Sequence, residues 1–207
     1  MARGTVTRRE VLELAAKLFA KHGYASTSLE AVASRLGVTR QALYYHFRSK
    51  GEILGALFDE MMTRLESGIA RVSEEPDDRR FLAMLKAHIA TTVEQPDLVA
   101  LLLHERPAIA KLKWTHASTR RRDYANLFTD AYDSGVKAGA LKPLDPWLAV
   151  NGAIAAANGV SSWYHAENSR VPPGEIAESM FDLLSTGFIR PEYAHASLPS
   201  AAALEVA

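Results

Sequence analysis

The 207-residue sequence contains no cysteine. That absence excludes disulfide scaffolds, thiolate zinc sites and cysteine nucleophiles, and it fits a reducing compartment. Long apolar runs are also missing. The longest uncharged stretch, Pro146 to Ala166, is rich in Ala and Gly and holds Asn151, Asn158, Ser161, Ser162 and His165. A bilayer span would need more Leu, Ile and Phe over that length, so the stretch reads as a buried helix. No apolar h-region follows Met1-Ala2-Arg3-Gly4, so a secretory signal is not expected and the expected location is cytoplasmic. What is present is an ordinary globular composition, 48% hydrophobic and 23% charged, which excludes disorder as the dominant state.

Net charge is zero, yet it is unevenly divided. Residues 1–50 carry 9 Lys and Arg against 3 Asp and Glu, whereas residues 51–207 carry 15 against 21. A basic head on an acidic body suggests that only the head meets a polyanion. Chance segregation on a solvated surface gives the same counts, so the motifs must decide.

Almost every segment has helical period, and no run alternates like a strand. Thr7 can cap a first helix with Val11, Leu14, Ala15, Leu18 and Phe19 on its apolar face, stopped by Gly23. Leu29 to Leu36 reads as a second helix closed at Gly37, and Thr39 opens a third over Arg40 to about Tyr45. Ser49 with Glu52 forms a capping box for a long fourth helix reaching about Val72. Beyond Glu75-Pro76-Asp77, helices are expected at about 78–94, 97–104, 106–112, 116–138, 146–167 and 173–188. The chain reads as all-α, with about nine helices. It divides into a small basic unit at 1–52, a larger acidic one at 53–190, and a loose tail at 191–207.

The informative stretch is Leu29 to Lys50, two short helices joined at Leu36-Gly37-Val38. Gly37 tolerates positive φ, Val38 can plug between the helices, and Ala33 permits their close approach. Together they form a helix-turn-helix. Thr39, Arg40 and Gln41 open its second helix. Arg suits guanine O6 and N7, and Gln suits adenine N6 and N7. Leu43 and Phe47, four apart, share a buried face, which turns Tyr44, Tyr45 and His46 towards phosphate oxygens. Lys50 adds a cation at the start of the fourth helix.

These residues, with Ala15/Phe19, Gly23-Tyr24 and Thr27-Ser28, resemble the TetR family of transcriptional regulators over residues 7–54. The resemblance implies a helical homodimer with an N-terminal DNA-binding domain at 1–52. Its C-terminal domain at 53–190 would hold a small-molecule pocket and the dimer interface. It further implies that Arg40 and Gln41 read bases, that Ala42 lies near a base methyl, and that Ser28, Thr39, Tyr44, Tyr45, His46 and Lys50 hold the backbone. Repression is the family's usual mode.

The uncharged helix at 146–167 carries Ala149, Gly152, Ala153, Ala156 and Gly159. With Ile176, Met180, Phe181, Leu184 and Phe188 of the final helix it suits a four-helix interface between two chains. Arg120, Arg121 and Arg122 are the one basic cluster of the acidic unit; a solvated face explains them as well as an anionic ligand does. Arg120, Asp123, Tyr124 and Ser162-Trp163-Tyr164 are similar to positions in TetR-class regulators that sense acyl-CoA thioesters. That similarity implies a pocket formed by Arg120, Arg121, Arg122, Tyr124, Phe128, Trp163 and Tyr164, with Trp114 and Tyr132 as further aromatic surface. Another apolar or aromatic ligand would suit the same aromatics. No cofactor, metal site or catalytic constellation is expected. Glu192-x-x-His195 has the spacing of a di-iron half-motif but occurs once. The rival within DNA binding is an architectural protein indifferent to sequence.

Overall fold

The computed structural model describes residues 6–111, 115–165 and 169–189. Trp114, Glu192, His195 and the tail at 191–207 lie outside the described residues. Among the described residues there are ten α-helices and one isolated antiparallel bridge, Leu141 with Ile189. The chain divides into two compact units. One comprises Met1–Thr63 and Asp97–Arg120, the other Arg64–Pro96 and Arg121–Ala207.

In the first unit, α1 (Arg8–His22) begins with a reciprocal cap. The Thr7 hydroxyl accepts from the Glu10 amide (3.2 Å) and the Glu10 carboxylate accepts from the Thr7 amide (2.8 Å). Its buried stripe is Val11, Leu12, Ala15, Leu18 and Phe19; Leu12 is buried and Leu14 only half-buried, because the stripe is centred one position away from the expected line. Ser28 caps α2 (Leu29–Leu36) and Thr39 caps α3 (Arg40–His46). Between them Gly37 sits at φ +68°, the left-handed region in which a Cβ is strained. The helix α4 (Lys50–Ala70) starts where the Ser49 hydroxyl accepts from the Glu52 amide, at 3.1 Å. The Glu52 carboxylate reaches one residue further back than a capping box requires, to the Arg48 amide (2.8 Å). The helices α6 (Pro96–His104) and α7 (Arg106–Lys111) follow later in the chain.

Lys50 fastens the loop between α1 and α2. Its Nζ donates to the carbonyls of Tyr24 (2.9 Å), Ala25 (2.8 Å) and Thr27 (3.4 Å), and lies 4.7 Å from the centre of the Tyr24 ring. Three carbonyls converging on one ammonium hold the residues that lead into α2 against the start of α4.

In the second unit, α5 (Arg80–Glu94) is buried almost all round: every residue from Phe81 to Ile89 is inside. It packs against α9 (Pro146–Gly159) and α10 (Pro173–Phe188). The Phe81 ring meets Phe128, Tyr132 and Phe188 edge-on, with centroids 6.2, 5.2 and 5.3 Å away. Phe128 and Tyr132 belong to α8 (Thr115–Lys137). Lys86 is buried on α5 and pairs with Glu178 of α10 at 2.9 Å, its ammonium 5.4 Å from the Phe181 ring. The helix expected over 146–167 ends early, at Gly159, and continues only as a single 3-10 turn over Val160–Ser162. The Ser161 and Ser162 hydroxyls donate to the carbonyls of Asn158 and Gly159, both at 2.7 Å, and so compete for the acceptors that a further turn would use.

His88 of α5 is a buried titratable group of this core. Its Nδ1 lies 2.9 Å from the Tyr124 hydroxyl and its Nε2 lies 3.1 Å from Oδ1 of Asn158. A tyrosine donating to Nδ1 and Nε2–H donating to the amide oxygen satisfies a neutral ring completely. Burial pushes the imidazole down from 6.5 to about 4, and the Asn158 bond only partly opposes this. Burial likewise pushes the Tyr124 hydroxyl up from its ordinary value.

The folded chain therefore refuses a proton at His88 that the unfolded chain accepts from about pH 6.5, so the stabilisation is fully present above 6.5. It is lost as pH falls to about 4, by about 3 kcal/mol. Urea midpoints measured across that window will fall more steeply for the parent than for His88→Gln. In the first unit, Lys50→Met keeps the stem and removes the ammonium. It will destabilise the DNA-free protein by about 1–3 kcal/mol and speed amide exchange at Ala31 and Val32, at the start of α2.

Candidate nucleic-acid interface

The face opposite the packed side of α3 is built by elimination. Leu43 within the helix and Phe47 at its C-cap are buried, which fixes the rotation of a seven-residue helix. Thr39, Arg40, Gln41 and Tyr45 are then exposed, Tyr45 most of all at 86%, while Ala42, Tyr44 and His46 are half-buried. Ser28, at the N-terminus of α2, is exposed too. Ser28 and Thr39 hydroxyls already cap their helices, accepting from Ala31 (3.1 Å) and Ala42 (3.2 Å), which leaves each hydroxyl proton available to a phosphate oxygen.

The polar aromatics separate by environment. Tyr45 projects outward against the edge of the His46 ring, centroids 5.1 Å apart. His46 turns inward: its Nε2 lies 2.7 Å from the Val6 carbonyl, so that nitrogen carries the proton and ties the start of the chain to the end of α3. Tyr44 accepts a hydrogen bond from Arg40 at 2.9 Å. Arg40 also pairs with Glu30 of α2 at 3.1 Å, a partner that sequence reasoning did not include. Only the helix-turn-helix geometry brings residues 30 and 40 together. Lys50, expected to meet phosphate, has its ammonium directed at the three loop carbonyls.

The residues expected to form a pocket divide between the units. Arg120 lies in the first, where its guanidinium donates to Asp59 Oδ1 (3.2 Å) and to the Thr63 hydroxyl (2.8 Å) of α4. His116, one turn earlier on α8, reaches the same carboxylate at 3.3 Å. In the second unit, Tyr124 and Phe128 are buried with their rings 5.3 Å apart, Tyr164 is buried, and Trp163 is exposed. Arg121 is half-buried and Arg122 exposed. His88, Thr92 and Asn158 join this buried aromatic group or its helix and were not anticipated; a histidine and a threonine four apart within an apolar run were the available signal. Thr92 Oγ1 is buried without a hydrogen-bond partner among the described residues.

Comparison with known proteins gives this geometry a family. Residues 11–57 match the model described as bacterial regulatory proteins, tetR family, and residues 74–188 match that of the tetracyclin repressor-like C-terminal domain. TtgR, an HTH-type transcriptional regulator of Pseudomonas putida, is 40% identical over 72 residues. That match covers 35% of this chain and 34% of TtgR, so the chain spans about a third of the length of such a relative. The HTH-type transcriptional repressor KstR2 of Rhodococcus jostii is 27% identical over 194 residues, 89% of this chain and 92% of KstR2. The crystal structure of AibR in complex with isovaleryl coenzyme A and operator DNA shares the fold, with TM-score 0.74 and 23% identity over 85% of this chain and 96% of AibR. With one model matching the helix-turn-helix and a second matching more than half of the chain, the protein belongs to the tetR family of bacterial regulatory proteins.

Proposed function

We propose that this chain is a ligand-responsive transcriptional repressor that binds a near-palindromic operator as a homodimer and is released by a small molecule. The observation that carries the DNA-binding reading is the exposed edge of α3, where Arg40, Gln41 and Tyr45 stand clear of the packed face. Arg40 and Gln41 offer the donors and acceptors that distinguish base edges. Ser28, Thr39, Tyr44 and Tyr45 flank them with groups suited to the sugar-phosphate backbone, Ala42 suits a base methyl, and His46 contributes by tying Val6 to the end of α3. Lys50 contributes by holding the loop ahead of α2 in place. Residues 1–52 form the DNA-binding domain in this reading, 53–190 the ligand-binding and dimerisation domain, and 191–207 a tail.

A single helix-turn-helix makes few contacts, and a two-fold dimer presents two recognition helices about 34–36 Å apart, one turn of DNA. The surface of α9 and α10 supports that assembly. Trp147 and Leu148 on α9 are exposed by 72% and 62%, and Leu183 on α10 by 72%. Gly152 and Ala155 are exposed on α9 between larger groups, which allows close approach of a second chain. Among the described residues no helix is long and apolar enough to cross a membrane.

For the effector we propose an acyl-CoA thioester. Arg121 and Arg122 on α8 suit the anionic phosphates, and the acyl part suits apolar side chains around Tyr124, Phe128, Trp163 and Tyr164. AibR, whose structure contains isovaleryl coenzyme A, supports this chemistry by shared fold. Arg120, in the first unit, is already engaged by the Asp59 carboxylate and the Thr63 hydroxyl. The effector acts by preferring a state of the dimer that fits DNA poorly, by about 1.4 kcal/mol for each tenfold loss of affinity.

Selection from random duplexes will yield a near-palindrome that the chain prefers over scrambled DNA by about 10³ or more at physiological salt. Arg40→Ala will relax that preference at particular base pairs, by about 1–3 kcal/mol each. Equal affinity for selected and scrambled duplexes would identify an architectural binder instead. An acyl-CoA series will release the operator, and Arg121→Ala and Arg122→Ala will impair release while leaving operator affinity intact. Unchanged release in both variants would discard the CoA reading and leave another apolar ligand.

A further inference from the structure

One interior hydroxyl of the second unit is left without a bond. Thr92, near the end of α5, is fully buried, and its Oγ1 has no hydrogen-bond partner among the described residues. A threonine on a helix has a ready remedy, a bond back to the carbonyl four positions earlier. Its neighbour Thr91 takes it, donating to the Ala87 carbonyl at 2.9 Å. Thr92 does not, and a hydroxyl stripped of water with nothing in return costs the folded chain free energy. An acceptor that arrives with a ligand accounts for such a group.

Its place in the fold identifies the acceptor. The helices α5 and α8 run antiparallel: Phe81 meets Tyr132 with centroids 5.2 Å apart, and His88, further along α5, meets Tyr124 at 5.8 Å. Thr92 lies one more turn along α5, on the same face as His88. That turn advances towards the start of α8, the end that carries Arg121 and Arg122. The order between the two helices is aromatic rings, then the Thr92 hydroxyl, then the arginines. An acyl-CoA thioester has the same order: an apolar acyl chain, a carbonyl oxygen, and further on the phosphates. The Tyr124 and His88 protons are spent in the chain that ends at Asn158. The Thr92 proton is not.

We propose that Thr92 is a specificity-determining residue of the effector site, donating its hydroxyl proton to the thioester carbonyl of a bound acyl-CoA. This rests on the reading of the effector as an acyl-CoA. Thr92 acts by discrimination. A hydrogen bond formed where the free protein has none strengthens binding only for ligands that bring an acceptor to that point. A ligand of the same shape without the carbonyl leaves the hydroxyl as it is in the free chain.

The test uses the full-length protein and a straight-chain acyl-CoA series from acetyl to palmitoyl, with affinities measured by calorimetry. The tightest binder is then compared with the S-alkyl-CoA of equal chain length, a thioether that lacks the carbonyl. Thr92→Val keeps the shape of the side chain and removes the hydroxyl. It will lower the preference for thioester over thioether by about three- to tenfold, the range of one neutral hydrogen bond, and leave thioether affinity unchanged. Thr92→Ser, which keeps the hydroxyl, will keep the preference. Because the hydroxyl is unpartnered in the free chain, Thr92→Val will leave the urea midpoint unchanged or raise it. A preference that survives Thr92→Val would overturn the proposal, and a lowered urea midpoint beside it would show that the hydroxyl serves the fold. A parent chain that binds no member of the series would overturn the acyl-CoA reading, and this inference with it.

Discussion

The rotation of one short helix governs what this molecule presents to its surroundings. A seven-residue helix is too short to persist in water by itself, so α3 exists because neighbours hold it. Leu43 and Phe47, both buried, provide two anchors one turn apart, and two anchors define an axis and an angle. Gly37 then sets the direction of approach from α2, in a left-handed conformation that a side chain would strain. With those three residues in place, Arg40, Gln41 and Tyr45 have nowhere to go but outward. The chemistry of the exposed edge is therefore a consequence of apolar burial on the other side of the same helix.

The same interior logic shows how a charge count differs from a set of contacts. The surplus of cations in residues 1–50 is real, but several of them have partners within the protein. Arg9 pairs with Glu13 at 2.7 Å, Arg8 lies over the Phe47 ring, Arg40 shares Glu30 and Tyr44, and Lys50 spans three carbonyls. The long-range field that draws the head towards a polyanion depends on total charge and survives these pairings. Short-range contacts depend on which donors remain to be offered, and those are fewer. Lys50 illustrates the difference: it contributes its full charge to the field while its hydrogen bonds shape the fold.

Local features were the legible ones. Thr7, Ser28, Thr39 and Ser49 all serve as caps, Gly23 and Gly37 end α1 and α2, and the apolar spacing of α4 matches its buried face. Each of these depends on residues within four positions of one another, which is the range over which sequence periodicity speaks. The features that escaped link distant positions. Lys50 meets residues 24–27, His46 meets Val6, Arg40 meets Glu30, and Arg120 meets Asp59 across 61 positions. A basic residue near the end of a basic segment reads equally well as a phosphate ligand or as a donor to carbonyls, and only the path of the chain decides. The early end of α9 escaped for a subtler reason, since Ser161 and Ser162 are compatible with a helix until their hydroxyls compete for its last carbonyls.

The two units use similar polar aromatics to opposite ends, and internal satisfaction is what tells them apart. In the core of the second unit, His88 has both ring nitrogens engaged, one by the Tyr124 hydroxyl and one by the Asn158 amide, and the imidazole stays neutral because burial penalises the charge. Such a closed chain presents nothing outward; it specifies how α5, α8 and α9 fit together. On α3 the corresponding groups are left open. Tyr45 keeps its hydroxyl in solvent, Gln41 is exposed, and the Tyr44 oxygen accepts from Arg40 while its own proton remains to be donated. A tyrosine whose hydroxyl is spent inside contributes to stability, and one whose hydroxyl is held out contributes to recognition. Composition does not separate these cases, since Tyr124 and Tyr45 are the same residue type on amphipathic helices. Burial separates them, and the packing of Leu43 and Phe47 is what keeps the opposite edge of α3 in the second class.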